Sequence, residues 1–175
     1  QFFKERYINQ ELKVRQRLKE NNNLSTSGVY QIKVYFHVIG SSANQSQITT
    51  SVLEQQITAL NADFRNTHGN TPARWSSVAA DTNIQFAWNS SDLNRVTTTS
   101  SFPVDNSMKY ASSGGSDAHQ TNIYLNVWIC ELEGGVLGYA QFPGGNVATD
   151  GVVLSFNSLS GATGQAPYNL GRTFT

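Results

Sequence analysis

Residues 29–39, VYQIKVYFHVI, constrain the fold of this chain more than any other stretch. The run alternates apolar with polar side chains and then turns continuously apolar, rich in β-branched and aromatic types. That pattern predicts a strand whose later half is buried on both faces, as in the interior of a sheet. Behind it, Val52, Leu53, Ile57, Leu60 and Phe64 recur at three- and four-residue intervals, which predicts an amphipathic helix that Ser46 or Thr49 would cap. A strand, a helix and then a further apolar run make a βα unit. Ile84, Phe86 and Trp88 alternate as a second strand, and Ile123 to Cys130 (IYLNVWIC) reads as a third. Two more extended segments follow Gly134 and Gly135, over Val136 to Phe142 and Gly151 to Phe156. Asn169 is placed to cap a last helix, of which Leu170 to Thr175 would form the first turn.

The rest of the chain bounds what this sheet belongs to. At 175 residues the length suits one domain with its own core. Residues 2–19 carry Phe3, Tyr7, Val14 and Leu18 at helical spacing, and 21–28 have turn and linker composition, so the one boundary falls there. Twelve basic residues balance twelve acidic ones, which leaves no basic field for a nucleic acid. No run approaches the ~20 apolar residues that span a bilayer. No signal-peptide pattern, a basic start before an apolar middle, is read in these residues, and the opening on Gln1 rather than Met points to a processed or trimmed product or a partial gene. An abundance of Ser, Thr, Asn and Gln over few charges suits a secreted protein. Asn23, Asn44 and Asn89 lie in sequons, which matter only in a eukaryotic secretory host.

Self-contained chemistry is hard to find. Three histidines, His37, His68 and His119, lie in unrelated contexts, and none shows the i, i+4 spacing that sets two imidazoles on one helical face around a metal. His37, inside an apolar strand, reads as a core histidine with a backbone hydrogen bond. His119 follows Asp117 beyond a Gly-Gly turn and reads as part of a solvated loop, with a metal site as the other possibility. Cys130 has no partner for a disulfide and, at the end of an apolar strand, reads as an inert buried thiol. No G-x-S-x-G elbow is present, and the Gly pairs at 114–115, 134–135 and 144–145 lack the context of a phosphate loop and read as turns.

Three segments, taken in order, resemble the pappalysin family of metzincin metallopeptidases. They are YLNVWIC at Tyr124 to Cys130, GGVLGYAQFPGG at Gly134 to Gly145 running into ATDGVV, and APYNLGRTFT at Ala166 to Thr175. Weaker matches at VYFHVI, ALNADFRNT, VAADTNIQF and MKYASSGGSDA extend the resemblance over residues 29–175. It implies an α+β fold, the upper part of a metallopeptidase domain. The expected parts are a twisted, mostly parallel five-stranded sheet with one antiparallel edge strand, a backing helix and the first turn of the active-site helix. It also implies zinc in the full-length enzyme, held by an HExxHxxGxxH motif that would follow Thr175. The chain itself would then hold no metal ligand or catalytic residue and be inactive alone. The edge strand, with Val136, Leu137, Gly138, Tyr139 and Ala140, would bind a peptide substrate as an added strand. Residues 1–28 would be a helical pro-segment or connector. The remaining half of the protease, or other copies of the chain, would cover the open core. A non-catalytic binding or self-assembling module on the same sheet is the alternative. The family commonly carries Trp where this chain has His119.

Overall fold

A computed structural model of the chain describes residues 28–142, 144–161 and 166–175, together with Leu12. The helix expected over 2–19, and nearly all of the segment 1–28 assigned as pro-segment or connector, lie outside the described residues.

Strand β1 (Tyr30–Gly40) is half exposed at its start and buried from Phe36 onward, as its sequence pattern requires. It is the centre of a mixed sheet. On one side it pairs in parallel with β4 (Tyr124–Cys130), from Lys33 opposite Tyr124 to Ile39 opposite Cys130. Its other side is shared by two short parallel strands. β2 (Ile84–Ala87) takes the first part, Tyr30 to Lys33, and β3 (Leu93–Thr97) takes the second, Phe36 to Gly40. Beyond β4 lies parallel β6 (Val152–Ser155), and β5 (Gly138–Ala140) closes that end as an antiparallel edge strand.

Among the described residues the sheet therefore has six strands, one more than the sequence pattern predicts. The addition is β3, whose residues LNRVT show no alternation. Its place is set by pairing with β1 and by Arg95, whose guanidinium donates to the carbonyls of Gln45 (3.0 Å) and Ile48 (2.6 Å). Those carbonyls belong to the end of α1 (Ser42–Gln47) and the turn into α2 (Thr50–Phe64). Of the two candidate caps for α2, Thr49 does the work, its hydroxyl accepting the Val52 N–H at 3.3 Å. Ser46 sits inside α1.

Each face of the sheet has its own core. Val34, Phe36, Val38, Val127, Ile129 and Leu154 meet Val52, Leu53 and Leu60 of α2 on one face. On the other, Ile39, Trp128, Cys130 and Val153 are covered by Phe102, Met108 and Leu132, from the loops on either side of β4.

Residues 166–175 form turns and extended chain rather than the expected first helical turn. Gly171 has φ +73°, the left-handed region that an α-helix excludes. Its carbonyl accepts a 2.7 Å bond from the side chain of Gln56, which is fully buried in α2. A Cβ at Gly171 would come within 3.0 Å of that amide oxygen. The backing helix thus fixes the path of this segment, and Phe174 packs against the helix-side core.

Candidate functional site

The open edge of the sheet is the backbone of β5. The Leu137 carbonyl accepts from the Ser155 N–H (2.8 Å) and the Ser158 hydroxyl (2.8 Å), and the Gln141 N–H donates to the Gly151 carbonyl (3.3 Å). With Tyr139 opposite Val153, residues 137, 139 and 141 turn their main-chain groups toward β6. Antiparallel alternation then turns those of Gly138 and Ala140 outward, to the free edge. The five edge residues predicted from the sequence are therefore not equivalent. Val136 packs its side chain on the loop-covered core, Leu137 and Tyr139 are bonded inward, and among the described residues no main-chain partner meets the outward groups of Gly138 and Ala140. Gly138 has no room for a side chain: a Cβ there would lie 2.8 Å from the Val153 carbonyl oxygen.

Tyr139, together with residues that the sequence did not single out, holds this edge in place. The Tyr139 hydroxyl donates to the Asp105 carbonyl and lies 3.1 Å from the Met108 sulfur. Burial, and then the neighbouring Cys130 and Asp105, raise its pKa. Beneath it Lys109 is only 1% exposed. Its ammonium donates to the Thr149 carbonyl at 2.6 Å and sits 5.2 Å from the centre of the Trp128 ring and 5.8 Å from that of Tyr139. Burial lowers its pKa, against the opposing pull of Asp150. Gln141 completes the brace, accepting from the Thr149 hydroxyl (2.6 Å) and donating to the Asn146 carbonyl (2.9 Å). Beside these residues a groove of 520 Å³ opens, lined by Val104, Asp105, Lys109, Tyr110, Tyr139 and Phe142 among others.

The histidines sit elsewhere. His37 is buried, as expected, but its partners are side chains rather than backbone: Nδ1 lies 2.7 Å from the Ser116 hydroxyl and Nε2 2.9 Å from Asn126 Oδ1. Asn126 is itself oriented by main chain, with Nδ2 donating to the carbonyls of His119 and Tyr124 and Oδ1 accepting the His119 N–H. Oδ1 is thus an acceptor, so His37 carries its proton on Nε2 and accepts the Ser116 hydroxyl proton at Nδ1. Burial is the main cause that lowers the His37 pKa to about 4, with Asn126 opposing it.

His119 is packed among aromatic rings rather than fully solvated. It is half-buried and stacked on Tyr35, ring centres 4.1 Å apart, with Tyr124 edge-on. It fills the aromatic position that the resemblance assigns to Trp. His68 accepts the Asn70 N–H. Cys130 is buried and its thiol pushed up to about 12, which keeps it protonated and inert. Among the described residues no three His, Cys, Asp or Glu side chains stand together as a metal would require.

Comparison with known proteins places this architecture. The mostly parallel six-stranded sheet with few helices matches the fold of the metalloprotease mirolysin. Tannerella forsythia mature mirolysin in complex with a cleaved peptide superposes with a TM-score of 0.78 and 32% identity, over 84% of this chain and 60% of that one. A promirolysin mutant from the same organism gives 0.78 and 30%, over 93% of this chain and 60% of the other. An extracellular metalloprotease of Verticillium alfalfae is 27% identical over 168 residues, covering 91% of this chain and 52% of its own length. One of Sordaria macrospora is 30% identical over 163 residues, 87% of this chain and 49% of its own. The chain spans about half the length of these curated relatives. No family model matches it. Among the described residues no helix is long and apolar enough to cross a membrane.

Proposed function

We propose that the chain is the front part of the catalytic domain of a secreted zinc endopeptidase of the pappalysin type, and that β5 binds the peptide substrate. The observation that carries this reading is the antiparallel edge, free among the described residues, where Gly138 and Ala140 each offer an N–H and a C=O two residues apart. An extended peptide satisfies such groups by adding a strand, and the main chain then gives affinity for many sequences. The 32% identity to a mirolysin that holds a cleaved peptide supports it. The residues of this chain bind and orient the scissile segment. Zinc and the groups that activate water are assigned to sequence outside these 175 residues.

The test uses the intact protein that carries this chain. Ala140→Pro removes one outward N–H without touching the ladder to β6, a position where an edge strand tolerates proline. Chelator-sensitive cleavage of a peptide should fall about 10- to 100-fold, in line with losing an aligned main-chain bond in the transition state. The thermal midpoint should stay near that of the unsubstituted protein. Unchanged cleavage by the variant sinks the edge assignment, and an intact protein without metal-dependent cleavage favours the non-catalytic binding module.

A further inference from the structure

We propose that the groove on the Tyr139 face of β5 is a subsite for one bulky, uncharged side chain of the bound peptide. This rests on the edge-strand reading above. Successive side chains of an added strand point to opposite faces of the sheet. The peptide residue lying opposite Tyr139 therefore points to the face that Tyr139 occupies, where the groove opens. The groove is continuous with the free edge, because Tyr139, Ala140 and Phe142 form its wall. Its 520 Å³ exceeds the bulk of any single side chain, so an aromatic or branched aliphatic group has room there.

Apolar surface is left uncovered at this place. Phe142 is 67% exposed and Val104 52%, and both line the groove. Uncovered apolar area next to a binding edge is the surface that a ligand side chain removes from water. An acidic side chain would meet the carboxylate of Asp105 and find no accessible cation, because the Lys109 ammonium is only 1% exposed and is held by the Thr149 carbonyl. The Asp105 carboxylate is already bonded by the Ser107 N–H (2.7 Å) and hydroxyl (2.6 Å), which leaves the apolar surface of Val104 and Phe142 to set the preference.

The test compares two peptides in the intact protein, identical except for Phe or Ala at the residue opposite Tyr139, each also made with an N-methyl group on the amide that pairs with Ala140. Val104→Ser and Phe142→Ser are combined, because both side chains are exposed and neither supports the core. The double variant should lose about tenfold in kcat/KM for the Phe peptide and less than twofold for the Ala peptide, as expected of a hydrophobic pocket. Equal loss for both peptides, or no loss for either, overturns the subsite. If N-methylation abolishes cleavage while the side-chain preference is absent, the groove alone is wrong. If N-methylation changes nothing, the edge-strand reading fails and the subsite falls with it.

Discussion

The two faces of the sheet are buried by different means. On the α2 face a helix closes over Val34, Phe36 and Val38 with Val52, Leu53 and Leu60, and the polar side chain it buries, Gln56, bonds the loop segments at Ser160 and Gly171. On the other face loops lie over Trp128 and Val153, and polar groups are buried with them: His37, Lys109, Ser116, Asn126 and Thr149. The cause is the backbone. A helix arrives with its N–H and C=O groups already paired, whereas a loop brings unpaired ones that need partners if they are to be buried. Lys109 supplies one for the Thr149 carbonyl, Trp128 Nε1 one for the Ser116 carbonyl (2.8 Å), and Asn126 serves both main-chain groups of His119. The loop-covered face is the one that carries the groove and steadies the free edge.

If this contrast is right, truncation on the helix face should have the largest effect. Phe36 is fully buried there, and Phe36→Ala should cost about 3–5 kcal/mol in urea unfolding through lost transfer energy and the cavity left behind. A smaller cost than that of any substitution on the loop face would break the comparison.

Acid should act on the loop face. His37 titrates at about 4 in the folded chain and at ~6.5 when unfolded, so the unfolded chain takes up the proton first. The stability that His37 provides is complete above pH 6.5, declines as the pH falls toward 4 and is then flat. The full loss is about 3 kcal/mol. His119 and Asp117 also face the ring with opposite effects. Urea midpoints followed from pH 7 to 4 should therefore slope more steeply in the native chain than in His37→Gln. Parallel slopes would show that the buried imidazole is not the acid-sensitive element.

The smallest shift is expected for Lys109→Met, about 1 kcal/mol. Removing a desolvated charge offsets much of the cost of leaving the Thr149 carbonyl without a donor. Its signature is local: amide exchange should quicken in the turn from Gln141 to Thr149 more than in β1. Uniform acceleration would mean that Lys109 serves the whole fold rather than the edge.

Some of this was readable from sequence. Burial of β1 on both faces after Phe36, the stripe of α2 and the inert Cys130 all follow from the apolar pattern of neighbouring residues. β3 was not readable, because LNRVT is too polar to alternate and owes its place to β1 and Arg95. The last segment was misread as helix because Gly171 fits either a helix or a left-handed turn until Gln56, 115 positions earlier, binds its carbonyl. His37 could be placed in the core but not given its partners, which lie 79 and 89 residues away. For β5 the family resemblance predicted an edge, yet which residues face outward depends on their register with β6. Local periodicity encodes which side of an element is apolar, since that is a property of consecutive residues. Hydrogen-bond partners, the sixth strand and the outward turn of Gly138 and Ala140 are set by segments distant in sequence, and only the assembled tertiary structure brings those together.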